Sequence, residues 1–172
     1  MATSTYVELA RTLTRDAFVA SHPGCFFVKR PKPAAQQKPK SPGFGFATAG
    51  VKVDFDPSAA EWQVLPVTKR PGNPFPQRIT VGRATNCELV LRAPAVSKVH
   101  AHIVCEAGGP YYLHDNRPSN ATFLNSEQLA PGESRALRIG DLVRFGPLEF
   151  EFVDAARLHE IVRQEASNGY AS

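Results

Sequence analysis

The 172-residue chain has room for one ordinary domain with flanking segments, and its 42% apolar share is enough for a real core. Its formal net charge of +4 is uneven: Lys29 to Lys40 carries five basic and no acidic residues, whereas residues 61–153 carry ten basic and nine acidic. The high isoelectric point, about 9.1, therefore owes much to the front of the chain. Cys25, Cys87 and Cys105 are odd in number and widely spaced, with neither CxxC nor His/Cys ligand spacing. That pattern predicts reduced thiols in a cytoplasmic protein, with no metal and no disulfide framework. The N-terminus lacks a basic region followed by an apolar run, and no stretch is long and apolar enough to span a bilayer.

In residues 6–20, Val7, Leu9 or Ala10, Leu13, Ala17 and Phe18 fall at the spacing of one helix face, so residues 1–28 read as an N-terminal extension with a short helix. An apolar knot, Cys25 to Val28, follows a His-Pro-Gly turn. Residues 29–60 begin with a run of prolines and lysines too poor in large apolar groups to offset chain entropy. They read as a linker.

From residue 61 the texture changes to short β-like runs between turn residues. The strands predicted are Trp62–Val67, Arg78–Val81, Glu88–Leu91, His100–Cys105, Tyr111–His114, Thr122–Leu124, Leu137–Ile139, Leu142–Phe145 and Leu148–Val153. The last alternates most cleanly, with Leu148, Phe150 and Phe152 set against Glu149 and Glu151, the mark of a strand with one buried face. Turn chemistry separates the runs at residues 71–74, 108–110, 117–120 and 131–132. Many short strands with no helical pattern between them predict an all-β antiparallel sandwich over residues 61–153. Residues 154–172 form a tail with a helical face of Leu158, Ile161 and Val162.

Three separated pieces carry chemistry. They are Val81-Gly82-Arg83; Val96-Ser97-Lys98-Val99-His100; and Leu113-His114-Asp115 with Ser119-Asn120-Ala121-Thr122-Phe123-Leu124-Asn125. Arg83, after a glycine at a strand end, can offer a planar fork of donors to a phosphate. Ser97 offers a short hydroxyl donor, Lys98 a charge or a backbone N–H, and Ser119 and Asn120 lie in a turn able to close the other side. An asparagine can pair with the main chain of an extended peptide through both donor and acceptor. Sandwich loops gather at the two ends, so segments remote in sequence can converge.

In order and spacing these pieces resemble the forkhead-associated (FHA) domain pattern of Gly-Arg, Ser-x-x-His and Asn-Gly-Thr-x-x-Asn, with Ile139-Gly140-Asp141 and Phe145-Gly146 resembling its closing turn and strand. The match covers a little over half of the chain. The resemblance implies a sandwich of about eleven strands whose loops recognise phosphothreonine. It implies that Arg83, Ser97, Lys98 and Ser119 take the phosphate, that Asn120 holds the main chain, and that His100 braces the serine loop, with Gly82 allowing a tight turn before Arg83. The expected partner is a phosphothreonine-bearing segment downstream of a Ser/Thr protein kinase. Ala121 departs from the family's usual glycine, which would strain a turn needing positive φ. Pro118 stiffens the same loop, and Arg117 adds a charge beside the expected peptide path.

No Gly-x-Ser-x-Gly elbow, Gly-rich phosphate loop or His-Glu-x-x-His pair appears, so neither catalysis nor a cofactor is expected. The basic run has no interleaved aromatics in residues 29–42, which argues against nucleic acid. A rival reading makes the sandwich a phosphorylation-independent adaptor. Thr3, Thr5, Thr12 and Thr14 raise a further possibility: phosphorylated on a tether, one of them could occupy the domain's own site.

Overall fold

The computed structural model describes residues 3–30, 62–72, 74–105 and 109–168. The chain runs through helices α1 (Thr3–Thr12) and α2 (Arg15–Ser21), strands β1 (Cys25–Lys29), β2 (Gln63–Pro66), β3 (Arg78–Gly82), β4 (Leu89–Val90), β5 (Ala101–Cys105), β6 (Tyr111–Asp115), β7 (Thr122–Leu124), β8 (Glu127–Gln128), β9 (Ser134–Leu137), β10 (Leu142–Phe145) and β11 (Leu148–Asp154), and helix α3 (Ala155–Asn168). Residues 31–60 of the expected linker, along with Asn73 and Gly108 of the expected turns, lie outside the described residues.

The strands form two sheets, ordered β2-β1-β11-β10-β7-β8 and β4-β3-β5-β6-β9. All recorded pairings are antiparallel except the short parallel contact of β3 with β4. The sheets enclose one core, with Phe27, Phe145, Phe150 and Phe152 facing Ile79, Val81, Ile103 and Leu113. The period-2 pattern of β11 drives this directly: Leu148, Phe150 and Phe152 are buried. Each fully buried side chain of that size contributes about 1.5–3 kcal/mol by leaving water. This is the expected all-β sandwich of eleven strands among the described residues, except that β1 comes from Cys25–Lys29, ahead of the residues 61–153 expected to build it.

A second core lies outside the six-stranded sheet. There Phe26, Val28, Val64 and Val153 meet Tyr6, Val7, Ala10 and Phe18 of the front helices and Leu158, Ile161 and Val162 of α3. Strand β1 is thus apolar on both faces. It pairs with β11 (Phe27 opposite Phe152) and with β2 (Phe27 opposite Leu65). The single predicted front helix is two helices, because Thr14 caps α2 by accepting from Ala17 N at 3.3 Å.

One strand is displaced from its expected place. Leu137–Ile139 was the predicted run, but β9 ends at Leu137, and the chain turns through Gly140 at φ +93°. The Asp141 carboxylate holds this turn by accepting from Arg138 N at 2.8 Å, leaving Ile139 46% exposed.

Candidate functional site

Residues from three loops and one turn meet at one end of the sandwich. Strand β3 ends at Gly82, and Arg83 follows as the chain leaves the sheet. Arg83 N donates to Ser97 O at 2.9 Å and Ala84 N to Lys98 O at 3.0 Å, lacing the start of one loop to the serine loop. The Arg83 guanidinium is held through Nε, which donates to Val96 O at 3.1 Å. Both terminal nitrogens of this exposed side chain remain available for an incoming anion.

Gly82 has a different reason from the tight turn expected of it. It is the last residue of a strand, paired with Val90, and its φ is not positive. A Cβ there would lie 2.3 Å from the Lys98 carbonyl oxygen and 2.8 Å from its carbon. Only glycine lets the serine loop approach this closely.

Ser97 links the two halves of the site. Its hydroxyl oxygen accepts from Ser119 N at 3.0 Å, so its own proton is free to be donated to a ligand. The Ser97 backbone N–H is fixed by donation to His100 Nδ1 at 3.3 Å. His100 is fully buried and packs edge-on against Phe145, ring centroids 5.7 Å apart. Burial pushes its pKa below the ordinary value, against the opposing pull of the Asp115 carboxylate and the Ala121 backbone. The neutral ring is the form that can accept at Nδ1.

Lys98 and Ser119 are exposed on the same rim. Asn120 is exposed and donates from Nδ2 to Ala95 O at 2.8 Å, leaving Oδ1 and one amide proton for a peptide backbone. Behind it, Gly146 turns at φ +58°, and a Cβ there would sit 2.9 Å from Ala95 O. Ala121 is not among the residues with positive φ, so the strain expected from its replacing glycine does not arise. The structure thus brings Arg83, Ser97, Lys98, Ser119 and Asn120 to one end of the sandwich, supported by Gly82 and His100.

Three supports were not read from the sequence as parts of the site. Asp115, only 5% exposed, accepts from Arg117 N at 2.8 Å, Gly132 N at 3.3 Å and the Thr122 hydroxyl at 2.7 Å. It ties the loop carrying Ser119 and Asn120 to its neighbour. The Ala95 and Val96 carbonyls orient Asn120 and Arg83, and nothing in a side-chain pattern announces a carbonyl's role. Asn125, which ends the third motif, stays outside the cluster: its amide donates to Asp141 and accepts from Leu142 N.

The four front threonines are not on a free tether. Thr12 donates to Glu8 O within α1, Thr14 caps α2, and both helices pack against α3. Among the described residues no group of three or more His, Cys, Asp or Glu side chains could hold a metal, and no helix is long and apolar enough to cross a membrane.

In antiparallel sandwiches, loops clustered at one end of the scaffold, as here around Arg83 and Lys98, are a common place for binding residues. Residues 79–146 match the FHA domain family model. Among curated proteins it is 37% identical over 91 residues to the serine/threonine-protein kinase cds1 of Schizosaccharomyces pombe, covering 49% of this chain and 19% of that one. It is 33% identical over 75 residues to human kanadaptin, covering 38% of this chain and 10% of that one. The match thus spans no more than about a fifth of either relative. Among solved structures, the N-terminal FHA domain of Rad53p from S. cerevisiae, in complex with a phosphothreonine peptide, is 21% identical with a TM-score of 0.43, covering 49% of this chain and 73% of that one. The S. cerevisiae structure is joined by one from a study of phosphothreonine-dependent FHA domain interactions, 25% identical with a TM-score of 0.42, covering 45% and 76%.

Proposed function

We propose that this chain binds a phosphothreonine-bearing segment of a partner protein through the loop end of its FHA domain, downstream of a Ser/Thr kinase. The observation that carries the reading is the hydrogen bond between Ser97 Oγ and Ser119 N, which joins two loops into one cradle beside Arg83. A phosphate monoester brings nearly two negative charges and three acceptor oxygens. In this reading two oxygens meet the Arg83 terminal nitrogens and the third lies near the Ser97 hydroxyl and Lys98. Asn120 then pairs with the main chain beside the phosphorylated residue. Catalysis forms no part of the proposal, and a cytoplasmic setting belongs to it.

The Ala121 and Pro118 departures are the features that favour the phosphorylation-independent adaptor; Ala121 has no positive φ, whereas Pro118 still stands in the loop beside Ser119. A peptide array bearing phosphothreonine, phosphoserine and unmodified threonine in matched sequences tests the proposal. Selective capture of phosphothreonine spots supports it. Equal capture of unmodified peptides would favour the adaptor.

A further inference from the structure

Two imidazoles outside the phosphate cradle stand opposite each other on the outer face of the five-stranded sheet. His102 of β5 and His114 of β6 are register partners in adjacent antiparallel strands. Their chain neighbours Ile103 and Leu113 are fully buried in the core, so both histidines point the other way. The helices pack on the six-stranded sheet instead, and both rings are half-buried.

The rings lie 4.6 Å apart, centroid to centroid, and 6° from parallel. His102 Nδ1 is 2.8 Å from Asn116 Oδ1. An amide oxygen only accepts, so the His102 proton sits on Nδ1 and its Nε2 carries a lone pair. Asn116 is itself anchored, its N–H donating to His100 O at 3.1 Å. An oxygen acceptor on the far ring nitrogen is the usual outer support of a metal-bound imidazole. On His114, Nε2 is 3.3 Å from Ser134 Oγ, and a hydroxyl suits either tautomer of that ring. Burial, ahead of the nearby Arg78 charge, holds both pKa values below the ordinary histidine value. Both rings are therefore neutral near pH 7, the form that binds metal.

We propose that His102 and His114 form a two-imidazole site for a late first-row divalent ion, Ni²⁺, Cu²⁺ or Zn²⁺, with water completing the coordination. Imidazole nitrogen suits these ions. Bonds of about 2.0–2.1 Å set two nitrogens of a tetrahedral site about 3.3 Å apart. Parallel rings at 4.6 Å reach that separation by rotation about χ2, a soft torsion in histidine. Arg78 opposes a cation here through the same charge that helps to keep the rings neutral. With two protein ligands, the site holds its ion exchangeably rather than as a structural centre. The inference is independent of the phosphothreonine reading.

Calorimetric titration of Ni²⁺ into the untagged full chain tests it. The parent should bind one equivalent. His102→Gln and His114→Gln should each weaken binding by about tenfold or more, and Asn116→Ala by about tenfold with both imidazoles in place. His22→Gln and Cys105→Ser should match the parent; among the described residues these are the other histidine and the thiol that are half-exposed. Melting curves without ion show that each variant folds, and added Ni²⁺ should raise the melting temperature of the parent alone among parent, His102→Gln and His114→Gln. A parent that binds Ni²⁺ no more tightly than the protein carrying both histidine substitutions overturns the inference. Binding lost in Cys105→Ser or His22→Gln, and kept in the His102 and His114 variants, overturns it too.

Discussion

Replacing Gly82 by alanine places a methyl group where the backbone of the serine loop already lies. The added carbon would meet the Lys98 carbonyl oxygen at 2.3 Å, its carbon at 2.8 Å and the Ser97 oxygen at 3.0 Å. All three contacts are backbone, so no side chain can swing aside. Strand β3 and the serine loop must separate instead, which lengthens Arg83 N to Ser97 O from 2.9 Å and Ala84 N to Lys98 O from 3.0 Å. Overpacking of this kind costs about 1–3 kcal/mol, and each weakened hydrogen bond up to about 1 kcal/mol more. The reduced freedom of the unfolded chain offsets only about 0.4–1 kcal/mol. The expected net loss is about 1–4 kcal/mol, and phosphopeptide affinity should fall at least tenfold because Arg83 and Ser97 no longer converge. Urea unfolding, followed by the fluorescence of the lone tryptophan, Trp62, measures the first. Peptide titration under fully folded conditions measures the second. Gly82→Ala matching the parent in stability and affinity would refute the close-approach argument.

Asp115→Asn should destabilise by about 2–3 kcal/mol, since the site is buried and an amide turns one acceptor into a donor facing donors. Urea unfolding reads the loss, and faster hydrogen exchange at the Arg117 and Gly132 amides locates it; unchanged exchange there would contradict the loop-tying role. Acidification should also weaken the fold. Burial leads the causes that hold His100, His102 and His114 below the ordinary histidine value. The unfolded chain thus binds protons first, so stability is complete above about pH 6.5 and declines as pH falls through that value. Melting temperatures at pH 7.5 and 5.5 check the direction, and His100→Gln should flatten part of the dependence. A melting temperature that rises on acidification would reverse the sign.

Much of this structure is legible in the sequence where a side-chain pattern and a structural period coincide. Strand β11 alternates cleanly because one of its faces meets the core. The loop residues Arg83, Ser97 and Asn120 stand out because the motifs that carry them resemble, in order and spacing, the FHA pattern. Legibility fails where burial or backbone decides. Cys25 to Val28 shows no alternation, because β1 is covered on one face by the opposing sheet and on the other by helices. Its neighbour β2 lies more than thirty residues away in the chain, although Lys29 and Gln63 are paired. The role of Gly82 depends on a carbonyl from another loop, and the hold on Arg83 and Asn120 depends on the Val96 and Ala95 carbonyls. Asp115 carries no spacing signature for its three donors. Each of these needs the tertiary arrangement before it has a meaning.

The proposed activity depends on one charge more than any other. Hydrogen bonds to a charged group contribute about 1.5–3 kcal/mol each, so removing both bonds of the Arg83 fork should weaken phosphopeptide binding by about a hundredfold or more. Arg83 is exposed and its side chain makes one bond to the protein, to Val96 O, so the fold should survive the change. The direct measurement is calorimetric titration of an array-selected peptide, phosphorylated and unphosphorylated, into the parent and Arg83→Ala. Tight binding of the phosphopeptide by the parent alone is the predicted result. Equal affinity of the two proteins for it would contradict the account.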